Sequence, residues 1–285
     1  MTASSLEGML DVFDVQPSGD RHFTGYSDYG GRQVVDASQV LAQSIVAATK
    51  VVGTKVARRV SGVFCRPVMG EQPIDFSVDV VQNGRSFATA VVTASQGEKA
   101  RAVTTVLLDV PADDVIRHPV QPPDSSPDDA VPVSMPMHGR ELRLVGLANP
   151  NDPDEVGPPR IEAWLHYDET PARDDLQRAL LAHFTGHLSI STTMRAHAGI
   201  GTAQAHKTLS TGVIAIDISF HDPVAWDGWL LYDHESTSVG AGMSYVRGQI
   251  RDRAGRLLAS FSQDGMIRHF AAESGALAVD EAARL

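Results

Sequence analysis

The chain has 285 residues, with 24 Lys plus Arg against 35 Asp plus Glu, so it is long enough to bury one large core or two ordinary ones. A formal charge of −11 lacks the basic footprint that a phosphate backbone requires, which excludes nucleic acid as a partner class. The single cysteine, Cys65, leaves no internal disulfide and no cysteine-based metal site.

That cysteine count fits a reducing compartment. The opening Met-Thr-Ala-Ser-Ser-Leu-Glu has neither a basic nor an apolar leader segment, and no apolar run approaches the ~18 residues of a membrane span. The expectation is a soluble, cytoplasmic protein with no membrane span. In Phe64-Cys65-Arg66-Pro67 the cysteine lies in an apolar strand context and reads as a small buried hydrophobe.

Residues 1 to 30 predict a first helix over Ser5 to Phe13 and a short strand near His22 to Tyr26. Asp36 to Ala48 then reads as a helix whose core-facing stripe is Val40, Leu41, Ser44, Ile45 and Ala48. Asp36 is most simply its cap, although a carboxylate at the start of a central helix could also serve a site. Strands follow at Val56 to Cys65, Ile74 to Gln82, Arg85 to Ser95 and Ala100 to Val110, rich in Val, Phe and Thr. Asn83-Gly84 between two of them is a hairpin signal, because both residues tolerate positive φ. One helix followed by a run of antiparallel strands is an α+β unit.

Seven of the 16 prolines fall between Pro111 and Pro136, around Asp124-Ser125-Ser126-Pro127-Asp128-Asp129. Such a stretch buries too little apolar surface to offset its ordering entropy and reads as a linker draped over the surface. Beyond it come strands at Glu141 to Leu147 and Arg160 to Tyr167, then a helix reaching from a Thr170-Pro171 start signal through Leu176 to Met194. Its Leu176, Leu180, Leu181, Phe184 and Leu188 recur at helical steps and define a buried face. Gly186 and His187 interrupt that pattern, placing a titratable group where the helix meets its neighbours. His187 is either an ordinary hydrogen-bonded helix histidine or a site residue. The last strands are predicted at Gly212 to Phe220, Gly228 to Ser238, Met243 to Arg251 and Arg256 to Arg268.

The two halves repeat at an offset of 156 residues. Phe64 and Pro67 match Phe220 and Pro223, and Gly84 matches Gly240. In each half a helix precedes four strands. Two such units, each a long helix embraced by a curved antiparallel sheet, describe a double hot-dog. Its expected parts are residues 1–110, a linker over 111–140, and residues 141–285.

The chain resembles the type II acyl-CoA thioesterases. The resemblance rests on Gly31-Arg32-Gln33-Val34-Val35, Phe64-Cys65-Arg66-Pro67, Asn83-Gly84-Arg85-Ser86-Phe87, Phe220-His221-Asp222-Pro223, Trp229-Leu230-Leu231-Tyr232 with Glu235-Ser236, Val246-Arg247-Gly248 and Leu258 to Gly265, in the right order along nearly the whole chain. It implies hydrolysis of acyl-CoA to free fatty acid and CoA, with CoA as part of the substrate and no separate cofactor. Pairing into a homo-oligomer is a further family expectation.

The resemblance also implies an Asp on the second-half helix, a Thr or Ser on the following strand and a Gln on the last strand, together orienting a water. Only Gln263 carries over. The Asp position falls on His187, and the Thr position on Val213 or, with a two-residue gap, on Ala215. A repaired site is open to the chain: His187 as base, Asp217 orienting it from the same strand face as Val213 and Ala215, and Gln263 holding the water or the carbonyl. Ser210 and Thr211 read as turn formers that could supply a displaced hydroxyl. His221 and Asp222 point to opposite faces of a strand and read as a turn, with no metal implied. Arg66, Arg247 and Arg268 are candidates for the coenzyme phosphates, or for surface ion pairs. The alternatives to hydrolysis are a catalytically silent acyl-CoA-binding or assembly protein on the same scaffold, and a hydratase of the hot-dog class.

Overall fold

The computed structural model describes residues 5–28, 30, 32–134, 137, 139–147, 149–224, 226 and 228–270. Gly31 of the first matched motif, the opening four residues and the end of the expected second unit lie outside this set. Ser5 caps the first helix, its Oγ accepting from the Gly8 N–H at 3.2 Å, and α1 runs Leu6–Phe13. Strands β1 (Gln16–Gly19) and β2 (His22–Gly25) lead to α2 (Ala37–Val52), which is buried along almost its whole length. Four long strands follow: β3 (Val56–Phe64), β4 (Ile74–Asn83), β5 (Phe87–Gln96) and β6 (Lys99–Asp109). Most of their inward positions are Ala and Val, including Ala88, Ala90, Val92 and Ala94 along β5, so the helix lies close on the sheet.

In the second unit β8 (Arg140–Leu144) and β9 (Arg160–Tyr167) precede α3 (Asp174–Thr185) and α4 (Ser189–Met194). Strands β10 (Leu209–Phe220), β11 (Leu230–Gly240), β12 (Met243–Asp252) and β13 (Leu257–His269) close it. All strands of the described residues join one antiparallel sheet of 13, ordered β1-β2-β4-β5-β6-β3-β10-β13-β12-β11-β9-β8-β7, where β7 is Val131–Val133. The fold is the expected α+β double hot-dog.

The seam between units is the pairing of β3 with β10. Ser61 lies opposite Asp217, and these two residues are also 156 apart, so the pseudo-twofold axis relating the halves passes between them. Repeat and register therefore agree. Among the described residues no helix is long and apolar enough to cross a membrane.

Several expectations change. The stretch 111–140 is not all linker. Val131–Val133 pairs with β8, Arg117 binds Asp222 at 2.8 Å, Arg253 binds Asp128 at 2.7 Å, and the Trp164 indole donates to Ser125 Oγ at 3.3 Å. Apolar and charged side chains of the second unit hold it down despite its proline content. Cys65 is exposed, because it follows the end of β3. Ser210 and Thr211 lie within β10 rather than in a turn.

The single helix expected over Leu176 to Met194 is two. It starts at Asp174, not at Thr170, whose hydroxyl instead donates to the Trp226 carbonyl at 2.6 Å. Asp174 and Asp175 occupy the first turn, where the helix dipole favours negative charge. The predicted face holds, since Leu176, Leu180, Leu181, Phe184 and Leu188 are all buried. The break comes at Gly186-His187-Leu188.

Candidate active site

The break has a local cause and a packing cause. Beyond it, Ser189, Ser191, Thr192 and Thr193 are buried, and the hydroxyls of Ser191, Thr192 and Thr193 donate to backbone carbonyls three or four residues earlier, a competition that weakens helices. At the break itself α2 crosses α3 closely. A Cβ on Gly186 would stand 2.6 Å from Ser38 Oγ, so only glycine lets the start of α2 approach here. The crossing carries the end of α3 to Asp36, which immediately precedes α2.

Asp36 is not the side-chain cap that its position suggests. It makes no capping hydrogen bond; Arg32 holds it with two, Nη1 to Oδ1 at 3.0 Å and Nη2 to Oδ2 at 2.5 Å. One ligating atom from each of Asp36, His183 and His187 lies within 4.8 Å of the others. Burial raises the Asp36 pKa, but the Arg32 charge and hydrogen bonds, with smaller help from His187 and His183, outweigh it and hold the value at about 2.

His187 is fixed by the last turn of α3. Its Nδ1 lies 3.1 Å from the His183 carbonyl, which can only accept, so Nδ1 carries the proton and Nε2 presents a lone pair. The ring stacks on Phe184, with centroids 5.1 Å apart and planes at 12°. Burial lowers the His187 pKa to about 4; Asp36 raises it in part, while Arg140 and Arg32 oppose that. The imidazole is neutral at pH 7. His183 is only 5% exposed, and burial and then His187 drive its pKa well below the ordinary range.

Two residues beyond His187 the chain reaches the second sheet. Ser189 Oγ donates to Gln263 Oε1, while Gln263 Nε2 has no partner and the residue is 1% exposed. Here α4 lies close on β12 and β13, as Gly265 shows: a Cβ there would stand 2.5 Å from Ser244 Oγ and 3.2 Å from Ile190. Further along, Thr193 Oγ1 and Ser236 Oγ are 3.0 Å apart in the same buried seam. His234, fully buried on β11, directs Nε2 to the Thr185 carbonyl at 3.4 Å, leaving Nδ1 unpaired.

Asp217 does not join this site. A bulge between Val213 and Ala215 shifts the alternation of β10 by one residue, so Val213 packs on the core whereas Asp217 turns to the outer face. There it pairs with Arg59 at 3.5 Å. The carboxylate that accompanies His187 is Asp36, from the other half. Val213 and Ala215 bring no hydroxyl to the Thr position.

The candidate phosphate-binding arginines are engaged elsewhere. Arg247 pairs with Glu235 at 2.8 Å, Arg66 donates to the Ala100 carbonyl at 3.0 Å, and Arg268 donates to the Gly242 carbonyl at 3.4 Å. Near the turn after β10, His221 Nε2 lies 2.9 Å from Ser260 Oγ, and Asp222 pairs with Arg117. Sequence reasoning missed His183, Ser189 and His234. Two signals were present: the His-x-x-x-His spacing of 183 and 187, and the 156-residue offset, which sets His234 against Val78.

Residues 28–109 match the family model described as the acyl-CoA thioesterase N-terminal domain, and residues 114–267 match the acyl-CoA thioesterase C-terminal domain. Acyl-CoA thioesterase 2 of Haemophilus influenzae is 27% identical over 284 residues, spanning 92% of this chain and 98% of that protein. The solved tesB protein of Mycobacterium avium subspecies paratuberculosis superposes with a TM-score of 0.77 at 23% identity, over 92% of this chain and 99% of the other. Acyl-CoA thioesterase II TesB2 of Mycobacterium marinum gives a TM-score of 0.77 at 22% identity over the same shares.

Proposed function

The chain belongs to the acyl-CoA thioesterase family, whose C-terminal domain alone accounts for residues 114–267, and from that premise we propose that it hydrolyses acyl-CoA at the junction of α3 and α4. The observation that carries the site assignment is the amide of Gln263. Its oxygen is held by Ser189, and its buried Nε2 has no acceptor. An unpaired buried donor costs ~1–3 kcal/mol, so it is a feature kept for a partner, and a thioester carbonyl oxygen supplies one.

The step follows from the neighbours. A water beside His187 gives its proton to Nε2 as its oxygen bonds to the thioester carbon. The carbonyl oxygen gains the negative charge and takes the Gln263 N–H. Collapse breaks the carbon–sulfur bond, the imidazolium returns the proton to the departing sulfur, and free acid and CoA result. Asp36 stabilises the transient imidazolium, and the His183 carbonyl keeps the ring in the reactive tautomer. His187 thus does with Asp36 what the repaired site assigned to Asp217.

Thiol release from a panel of acyl-CoAs tests this. Wild type turns over, and His187→Ala lowers kcat by about 10²- to 10⁴-fold, the worth of a positioned general base. A second reading is favoured by the absence of a hydroxyl at Val213 and Ala215: a silent acyl-CoA-binding protein on this scaffold. Measurable binding with no thiol release by wild type assigns it that role instead.

A further inference from the structure

We propose that Asp36, His183 and His187 form a binding site for a divalent transition-metal ion of the zinc class, joining the two halves at the crossing of α2 and α3. The set is two imidazoles and one carboxylate, and its ligating atoms lie within 4.8 Å of one another. His183 lies in the last turn of α3 and His187 in the break just beyond it, and the two rings meet edge to face with centroids 4.7 Å apart. Zinc bonds of about 2.0–2.1 Å place ligand atoms roughly 3.4 Å apart, a closure of at most about 1.4 Å that side-chain rotation supplies.

Independent features point to a ligand here. His183 is 5% exposed, and its Nδ1 has no hydrogen-bond partner. A buried ring nitrogen without a partner is a cost that a bound ion removes. The surroundings of the other two groups match what metal ligands require. The Nδ1–H of His187 is spent on the His183 carbonyl, which fixes Nε2 as the free donor atom, and Arg32 holds both Asp36 oxygens through one lone pair each. The Arg32 charge disfavours ions that depend on carboxylates, such as Mg²⁺ and Ca²⁺. It leaves Zn²⁺ and Co²⁺, which draw most of their affinity here from imidazole. Three protein ligands leave a fourth position open.

Occupancy has a consequence that rests on the hydrolytic reading of the same residues: the Nε2 lone pair of His187 cannot bind metal and accept a proton at once. A bound ion silences thiol release. The metal site is tested without activity by titrating the metal-free protein with Co²⁺ and following the visible bands of the bound ion, then displacing it with Zn²⁺ in a calorimeter. One ion per chain is expected. His183→Gln and His187→Gln should each weaken binding by more than about 100-fold, beyond what loss of an outer-shell partner costs. No binding by wild type, or binding that survives both substitutions, overturns the proposal. Tight Zn²⁺ binding with undiminished hydrolysis upholds the metal site and overturns the role of His187 as base.

Discussion

The two halves of this molecule occupy equivalent places in one sheet yet fill them differently. In the first, α2 is a single helix of 16 residues lying on a sheet whose inner face is mostly apolar, with Thr104 and Gln96 as buried polar exceptions. In the second, the corresponding helix is broken into α3 and α4, and the sheet beneath presents His234, Ser236, Ser244 and Gln263. The offset of 156 sets His234 against Val78, Ser236 against Val80 and Ser244 against Ala88. Strand pairing sets Gln263 against Val106, since Val246 faces Gln263 as Ala90 faces Val106. One half is core and the other is core with a polar seam cut into it. The seam cannot be explained by stability, because buried polar groups with missing partners cost free energy that the Val and Ala of the first half do not.

Making the second half resemble the first is therefore the way to break the comparison. The largest effect is expected at Gln263→Val, which restores the first-half residue and removes the proposed oxyanion donor. kcat for thiol release should fall about 10²- to 10³-fold with the fold intact, as steady-state kinetics and a thermal melt will show. Full activity in this variant would make the amide a structural feature only.

His234→Val should trade pH sensitivity for stability. Burial lowers the His234 pKa to about 4, against an ordinary 6.5. Between those values the unfolded chain binds a proton that the folded one refuses, so stability falls as pH drops from 6.5 to 4. The loss at this residue is about 3 kcal/mol. His183 and His187 add losses of the same sign. Urea unfolding at pH 7 and pH 4.5 should show a smaller difference for His234→Val than for wild type. An equal difference would contradict the assignment.

Ser236→Val is the mildest change. It removes the 3.0 Å contact with Thr193 and should shift stability by about 1 kcal/mol, with kcat unaltered, because the residue lies beyond the reacting groups along α4. A large loss of kcat would extend the site to the far end of that helix.

Much of the fold was legible because periodicity is local. Val40, Leu41 and Ile45 announce α2, Asn83-Gly84 announces a hairpin, and the repeat announces two units. The site was legible in part. His187 and Gln263 emerged because the ordered family segments fixed their positions, and the structure brings both to the same helix junction, through Ser189. Asp217 went astray because alternation assumes an unbroken strand, and the bulge after Val213 reverses its sense. Asp36 was read as a cap because capping is decided within one turn, whereas Arg32 and the distant end of α3 decide its actual contacts. The break at Gly186 follows in part from the approach of Ser38, a tertiary contact that no window of sequence contains.

The most direct test is a crystal structure of the chain with an acyl-CoA analogue in which a methylene replaces the thioester sulfur, keeping the carbonyl but blocking hydrolysis. The carbonyl oxygen should accept from Gln263 Nε2, with the carbonyl carbon facing a water held by His187 Nε2. An analogue bound with its carbonyl in the first half, or on the outer face beside Asp217, would contradict the account.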